Sequence, residues 1–76
     1  MSTKKHLKYK YLKTKIALHN TIQQLLDINR KRRFFREDPQ RDIVLNEELK
    51  VLNATAEMQA RTLRNYEESI QALERA

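Results

Sequence analysis

Two blocks of cations are the residues in this chain of 76 whose number and spacing most clearly invite chemistry. Lys4, Lys5, Lys8, Lys10, Lys13 and Lys15 open the sequence, and Arg30, Lys31, Arg32 and Arg33, joined by Arg36 and Arg41, gather near its middle. Such groups suit contact with a phosphate backbone, and Tyr9 and Phe34 are aromatics free to stack on an exposed base. The lysines spread around several faces of a helix, so solvated helix faces neutralised by acids elsewhere account for the same residues. The run Arg30 to Arg33 also has the composition of a nuclear-import signal, which makes an intracellular protein, nuclear in a eukaryotic source, the expected location.

Catalytic chemistry finds no comparable set of residues. Cysteine and glycine are both absent, so thiolate chemistry, disulfides and glycine-rich phosphate cradles are excluded. His6 and His19 stand thirteen residues apart with no carboxylate or second histidine at ligand spacing. Glu47-Glu48 and Glu67-Glu68 are adjacent pairs whose side chains diverge by about 100° on a helix. Ser2, Thr3, Thr55 and Ser69 have no histidine within useful reach. The expectation is a protein that is not an enzyme, with no cofactor, no metal and no small-molecule substrate.

The elements that must position these cations are legible in a heptad repeat. Apolar or small residues alternate at spacings of three and four through Leu7, Tyr11, Thr14, Leu18, Thr21, Leu25, Ile28 and Phe35. A second series runs through Leu45, Leu49, Leu52, Ala56, Leu63, Tyr66, Ile70 and Leu73. This is the period of helices with a coiled-coil seam. Between the series stands the only proline, Pro39, behind Asp38, which can cap a helix that begins with proline at its first position. The basic run before it suits the negative end of a helix dipole. The reading is a single all-α domain over residues 1–76, with a helix over about 4–36, an elbow over about 36–40 and a helix over about 39–74.

A hairpin is favoured over one long helix. Proline in a helix interior costs about 3 kcal/mol, and the repeat changes phase there, since continuing the first series would put Asn46 and Asn53 in the seam. Folding back pairs residues whose numbers add to 77, with Ile28 against Leu49 and Leu25 against Leu52. Lys8 and Lys15 then fall near Glu67 and Glu74, and Lys31 near Glu48, an arrangement that selects the antiparallel orientation. Thr14, Thr21, Ala56 and Gln59 thin the middle layers, and Gln59 opposite Leu18 is the candidate for a buried polar seam residue that fixes register. Lys4, Arg32 and Asp42 also occupy seam positions, near helix ends where long side chains reach water.

Apolar residues remain that the seam does not use. Leu12, Ile16, His19, Ile22 and Leu26 form a second stripe on the first helix, and Val44, Val51 and Met58 recur every seven residues on the second, next to Ile43 and Ala54. Two helices bury little surface against the entropy of ordering them, so the surplus implies further helices. The chain is therefore expected to be a coiled-coil-like helical hairpin completed to a bundle by oligomerisation or by a partner chain. Leu12, Ile16, Ile22, Leu26, Val44, Val51 and Met58 are the candidate partner-binding residues of an assembly or adaptor subunit, a homodimer or a complex with a helical partner protein. The alternative is a small nucleic-acid-binding protein that uses Lys4, Lys5, Lys8, Lys10, Arg30, Lys31, Arg32 and Arg33.

The shape resembles that of small dimeric RNA-binding helical hairpins in architecture alone, and no stretch matches them as a motif, so no binding residue is carried over. No apolar run is long enough for a membrane span and no cleavable leader is expected. Binding at a membrane surface is disfavoured, because the second helix competes for the same apolar face of the first.

Overall fold

The computed structural model describes residues 2–75. It shows the expected hairpin: two helices, α1 (Thr3–Phe34) and α2 (Pro39–Arg75), packed along their whole length. The molecule measures 57 × 15 × 14 Å with a radius of gyration of 17.1 Å, against about 11 Å for a compact domain of this length. A helix of 37 residues spans about 55 Å at 1.5 Å per residue. The rod is therefore as long as its longer helix.

Local signals set the helix ends. The Ser2 hydroxyl accepts the Lys5 amide at 3.3 Å and starts α1. At the other end the Phe35 amide closes on the Lys31 carbonyl at 2.9 Å, and Lys31, Arg32 and Arg33 occupy the last turn. The helix stops at Phe34 rather than continuing to Arg36, because Asp38 precedes a proline and is pushed out of helical geometry. A turn bridges the gap, the Asp38 amide donating to the Phe35 carbonyl at 3.0 Å. Asp38 then caps α2 as expected, its carboxylate accepting the Arg41 amide at 3.3 Å and its carbonyl accepting the Asp42 amide at 3.0 Å. No described residue has a positive φ, so a chain without glycine makes the bend at no cost in left-handed backbone.

The seam is where the heptads place it. Leu7, Tyr11, Thr14, Leu18 and Leu25 of α1 and Phe35 just beyond its end are half-buried, as are Leu45, Leu52, Ala56, Leu63, Tyr66 and Ile70 of α2. Leu73 is the exception; it is 42% exposed where the helix ends fray. Polar contacts between the helices join residues whose numbers add to between 74 and 82, bracketing the expected 77. Yet the core is thin. Among the described residues only Ile28, Leu49 and Thr21 are buried, and no side chain is fully enclosed.

Candidate helix-docking interface

Both helices continue their repeat outside the seam, and the continuation falls on opposite sides of the rod. In an antiparallel pair the positions flanking the seam form two grooves, one on each side. One groove is lined by Lys8, Tyr11 and Leu12 with Glu67, Ile70 and Gln71. Toward the elbow the same flank carries Leu26, Asn29, Arg30, Arg33 and Arg36, each a multiple of seven residues from Lys8, Leu12 or Ile16. The opposite groove is lined by Gln24 and Lys31 with Val44, Glu48 and Val51, and further along by Ala17, Met58 and Thr62.

This placement separates the candidate partner-binding residues into two sets. Leu12, Ile16, Ile22 and Leu26 stand on the α1 flank and outer face, and Val44, Val51 and Met58 on the α2 flank. All seven are exposed, as are Tyr9, Phe34 and Ile43. A helix laid in one groove leaves the other uncovered. The offset of each stripe from the seam sets its rotation about the helix, and the packing of the two helices turns that rotation into a side of the rod.

The α2 flank extends further than its apolar residues suggest. Val51, Thr55, Met58, Thr62, Asn65, Ser69 and Ala72 follow the three-four spacing without one charged residue. The Thr55 and Thr62 hydroxyls donate to the carbonyls of Val51 and Met58, at 3.0 and 2.9 Å. Those hydroxyls are satisfied within their own helix. Reading hydrophobicity alone missed these positions; their spacing and lack of charge were the available signal.

The α1 flank has the opposite electrostatic character. Within α1 its positions hold Lys5, Lys8, Lys15, Arg30 and Arg33 and no Asp or Glu. Acids of α2 meet part of this charge: Glu74 lies 3.6 Å from both Lys4 and Lys8. Of the cross-helix ion pairs expected from the sequence, only Lys8 with Glu74 forms. Glu67 instead accepts a 3.1 Å hydrogen bond from the Tyr11 phenol, and Lys15 sits over the Tyr11 ring at 6.0 Å. Lys31 and Glu48 line the same groove without pairing. The bond to Glu67, then partial desolvation and the negative charge of that carboxylate, hold the Tyr11 phenol above its ordinary ionisation range.

The cations named as nucleic-acid contacts divide in the same way. Lys4 and Lys8 are engaged by Glu74, and Arg32 donates its Nε–H to Asp42 at 2.9 Å, the shortest ion pair among the described residues. Arg30 reaches only Asp27, at 3.9 Å. Lys5, Lys10, Lys31 and Arg33 have no carboxylate within ion-pair distance among the described residues. At the elbow, Arg30, Arg32, Arg33 and Arg36 surround one groove, Phe34 is 84% exposed, and Arg41 stacks on the half-buried Phe35 ring at 4.5 Å. The two charged seam residues Arg32 and Asp42, read from sequence as solvated ends, pair with each other and close the seam beside the turn.

Among the described residues no three His, Asp or Glu side chains gather where a metal could bind. Nor, among the described residues, is any helix long and apolar enough to cross a membrane. No protein-family model matches this chain, and neither a curated protein nor a solved structure is significantly similar to it.

Proposed function

We propose that this chain is a non-enzymatic helical assembly subunit, which packs the flanks of its hairpin against helices of its own kind or of partner proteins. One observation carries the reading: among the described residues eleven large apolar side chains are exposed, whereas two, Ile28 and Leu49, are buried. Exposed apolar residues scattered singly need no explanation, but continuous stripes at helical spacing mark interaction surfaces. A hairpin with so thin a core gains most of its stability from whatever covers those stripes.

Sedimentation and circular dichroism across a concentration series test this. The expected result is that mass and helicity rise together, or that both stay low until a partner is added. Val51→Asp with Met58→Asp abolishes association through the α2 flank. A solitary, cooperatively folded monomer at micromolar concentration overturns the reading.

The elbow supports a second reading, binding to nucleic acid. Its observations are the groove ringed by Arg30, Arg32, Arg33 and Arg36, and the exposed Phe34 that follows Arg33 in the chain. Titration with duplex DNA and with RNA at several salt concentrations checks it; a steep salt slope relieved by Arg30→Gln and Arg33→Gln is the supporting outcome, and no binding at low salt removes it.

A further inference from the structure

We infer that the α1 flank docks an acidic amphipathic helix of another protein, with an apolar stripe set between two groups of carboxylates. The inference rests on the assembly reading and names the partner chemistry for one of its two faces.

The shape of the flank specifies its occupant. Leu12, Ile16, Ile22 and Leu26 form a mainly apolar centre, interrupted by His19 midway between the two leucines, and all five are exposed. From Leu12 to Leu26 that centre spans about 21 Å of helix. Lys5 and Lys8 frame it on one side, Arg30 and Arg33 on the other, and Lys15 borders its near half. A helix that laid leucines on the centre would bring its own outer turns against these cations, so carboxylates there are complementary and cations repel.

The chain's own acids do not fill the role. Glu74 is shared between Lys4 and Lys8, and Glu67 is taken by the Tyr11 phenol. Arg30 has only a 3.9 Å contact with Asp27, both side chains more than half exposed. Lys5, Lys15 and Arg33 lack a carboxylate among the described residues.

A second copy of this chain fits the flank poorly. The copy's α1 flank brings the same five cations, and its α2 flank is uncharged from Val51 to Ala72, which leaves those cations unmatched. With a net charge of +6 per chain, pairing through this face is opposed by long-range repulsion as well. A polyanion would meet the cations but would set phosphates against Leu12, Ile16, Ile22 and Leu26. An acidic helix satisfies both features, and it can do so while the opposite, uncharged flank is engaged elsewhere.

The probe is a synthetic helical peptide of about 28 residues, the length from Lys5 to Arg33 on a helix, with a central leucine stripe and glutamates on both end turns. Anisotropy of the labelled peptide reads its binding to the full chain. Binding is expected, weakened about tenfold or more when the glutamates are replaced by lysine and weakened by added salt. Leu12→Asp with Leu26→Asp abolishes it; Ile16→Asp serves as a second variant, and circular dichroism verifies that each remains helical. Val51→Asp with Met58→Asp, on the other flank, leaves it unchanged.

Equal binding of the two peptides, no binding of either, or sensitivity only to the α2-flank substitutions overturns the inference. So does RNA binding that the acidic peptide cannot displace and that Leu12→Asp with Leu26→Asp leaves intact. Should the peptide fail while self-association still vanishes in Val51→Asp with Met58→Asp, the partner assignment falls and the assembly reading stands. A solitary folded monomer removes the assembly reading itself.

Discussion

The Thr21 hydroxyl lies 2.8 Å from the Gln59 side-chain amide in the middle of the seam, and 3.0 Å from the Ala17 carbonyl of its own helix. One hydroxyl hydrogen cannot serve two acceptors. Donation to Gln59 Oε1 is the bond that crosses the seam, and the Ala17 carbonyl is the competing acceptor within α1, in a layer that excludes most water. Thr21 is one of three buried residues among those described. Elsewhere, side-chain hydrogen bonds between the helices occur near the termini, Tyr11 to Glu67, and beside the turn, Arg32 to Asp42.

Removing one half of this pair should cost more than removing both. Thr21→Val leaves a half-buried amide without its partner, at a cost of about 1–3 kcal/mol, whereas Thr21→Val with Gln59→Leu is neutral or stabilising. A double-mutant cycle by urea unfolding at fixed protein concentration measures the coupling, and simple additivity would show that the bond does not matter. The doubly apolar variant is also expected to lose partner or register selectivity, visible as mixed species in sedimentation.

Asp38 is the cap on which the start of α2 depends. Asp38→Ala should destabilise the hairpin by about 1 kcal/mol, and Asp38→Asn by much less, since an amide oxygen can still accept the Arg41 amide. Thermal melts of the two variants distinguish them; equal melting would place the bend under the control of Pro39 alone.

The Arg32–Asp42 pair joins the helices at the elbow with side chains 36% and 40% exposed. Asp42→Asn should cost about 0.2–1 kcal/mol, a loss that shrinks as salt is added. Denaturant unfolding at low and high ionic strength provides the comparison, and a loss independent of salt would mark a packing defect instead.

Tyr11 sets an alkaline limit. Its phenol ionises less readily in the folded chain than its ordinary value of 10.0, so the folded state favours the protonated form. The resulting stability is fully present below the unfolded value and is lost as pH rises through the folded one. Replacing Glu67 by Ala should bring Tyr11 ionisation to lower pH, read as tyrosinate absorbance. An unaltered titration curve would show that the hydrogen bond does not control it.

Sequence alone carried the secondary structure and the pairing of the helices. The three-four spacing from Leu7 to Phe35 and from Leu45 to Ile70 names the residues that meet, because helical period and side-chain size are local properties. Asp38-Pro39 fixed the bend for the same reason, through a cap and a missing amide hydrogen. The exposed apolar stripes were visible as what the seam left over.

Tertiary structure decided what depends on rotation about the helix axes. Only the packed pair shows that Leu12, Ile22 and Leu26 stand on one flank and Val44, Val51 and Met58 on the other, so that two covering surfaces are needed rather than one. Only it shows that Arg32 chooses Asp42, that Glu67 goes to Tyr11 instead of a lysine, and that Gln59 meets Thr21. Long side chains near a seam have several partners within reach, and the spacing of letters cannot say which is taken; distance and competition between neighbours do.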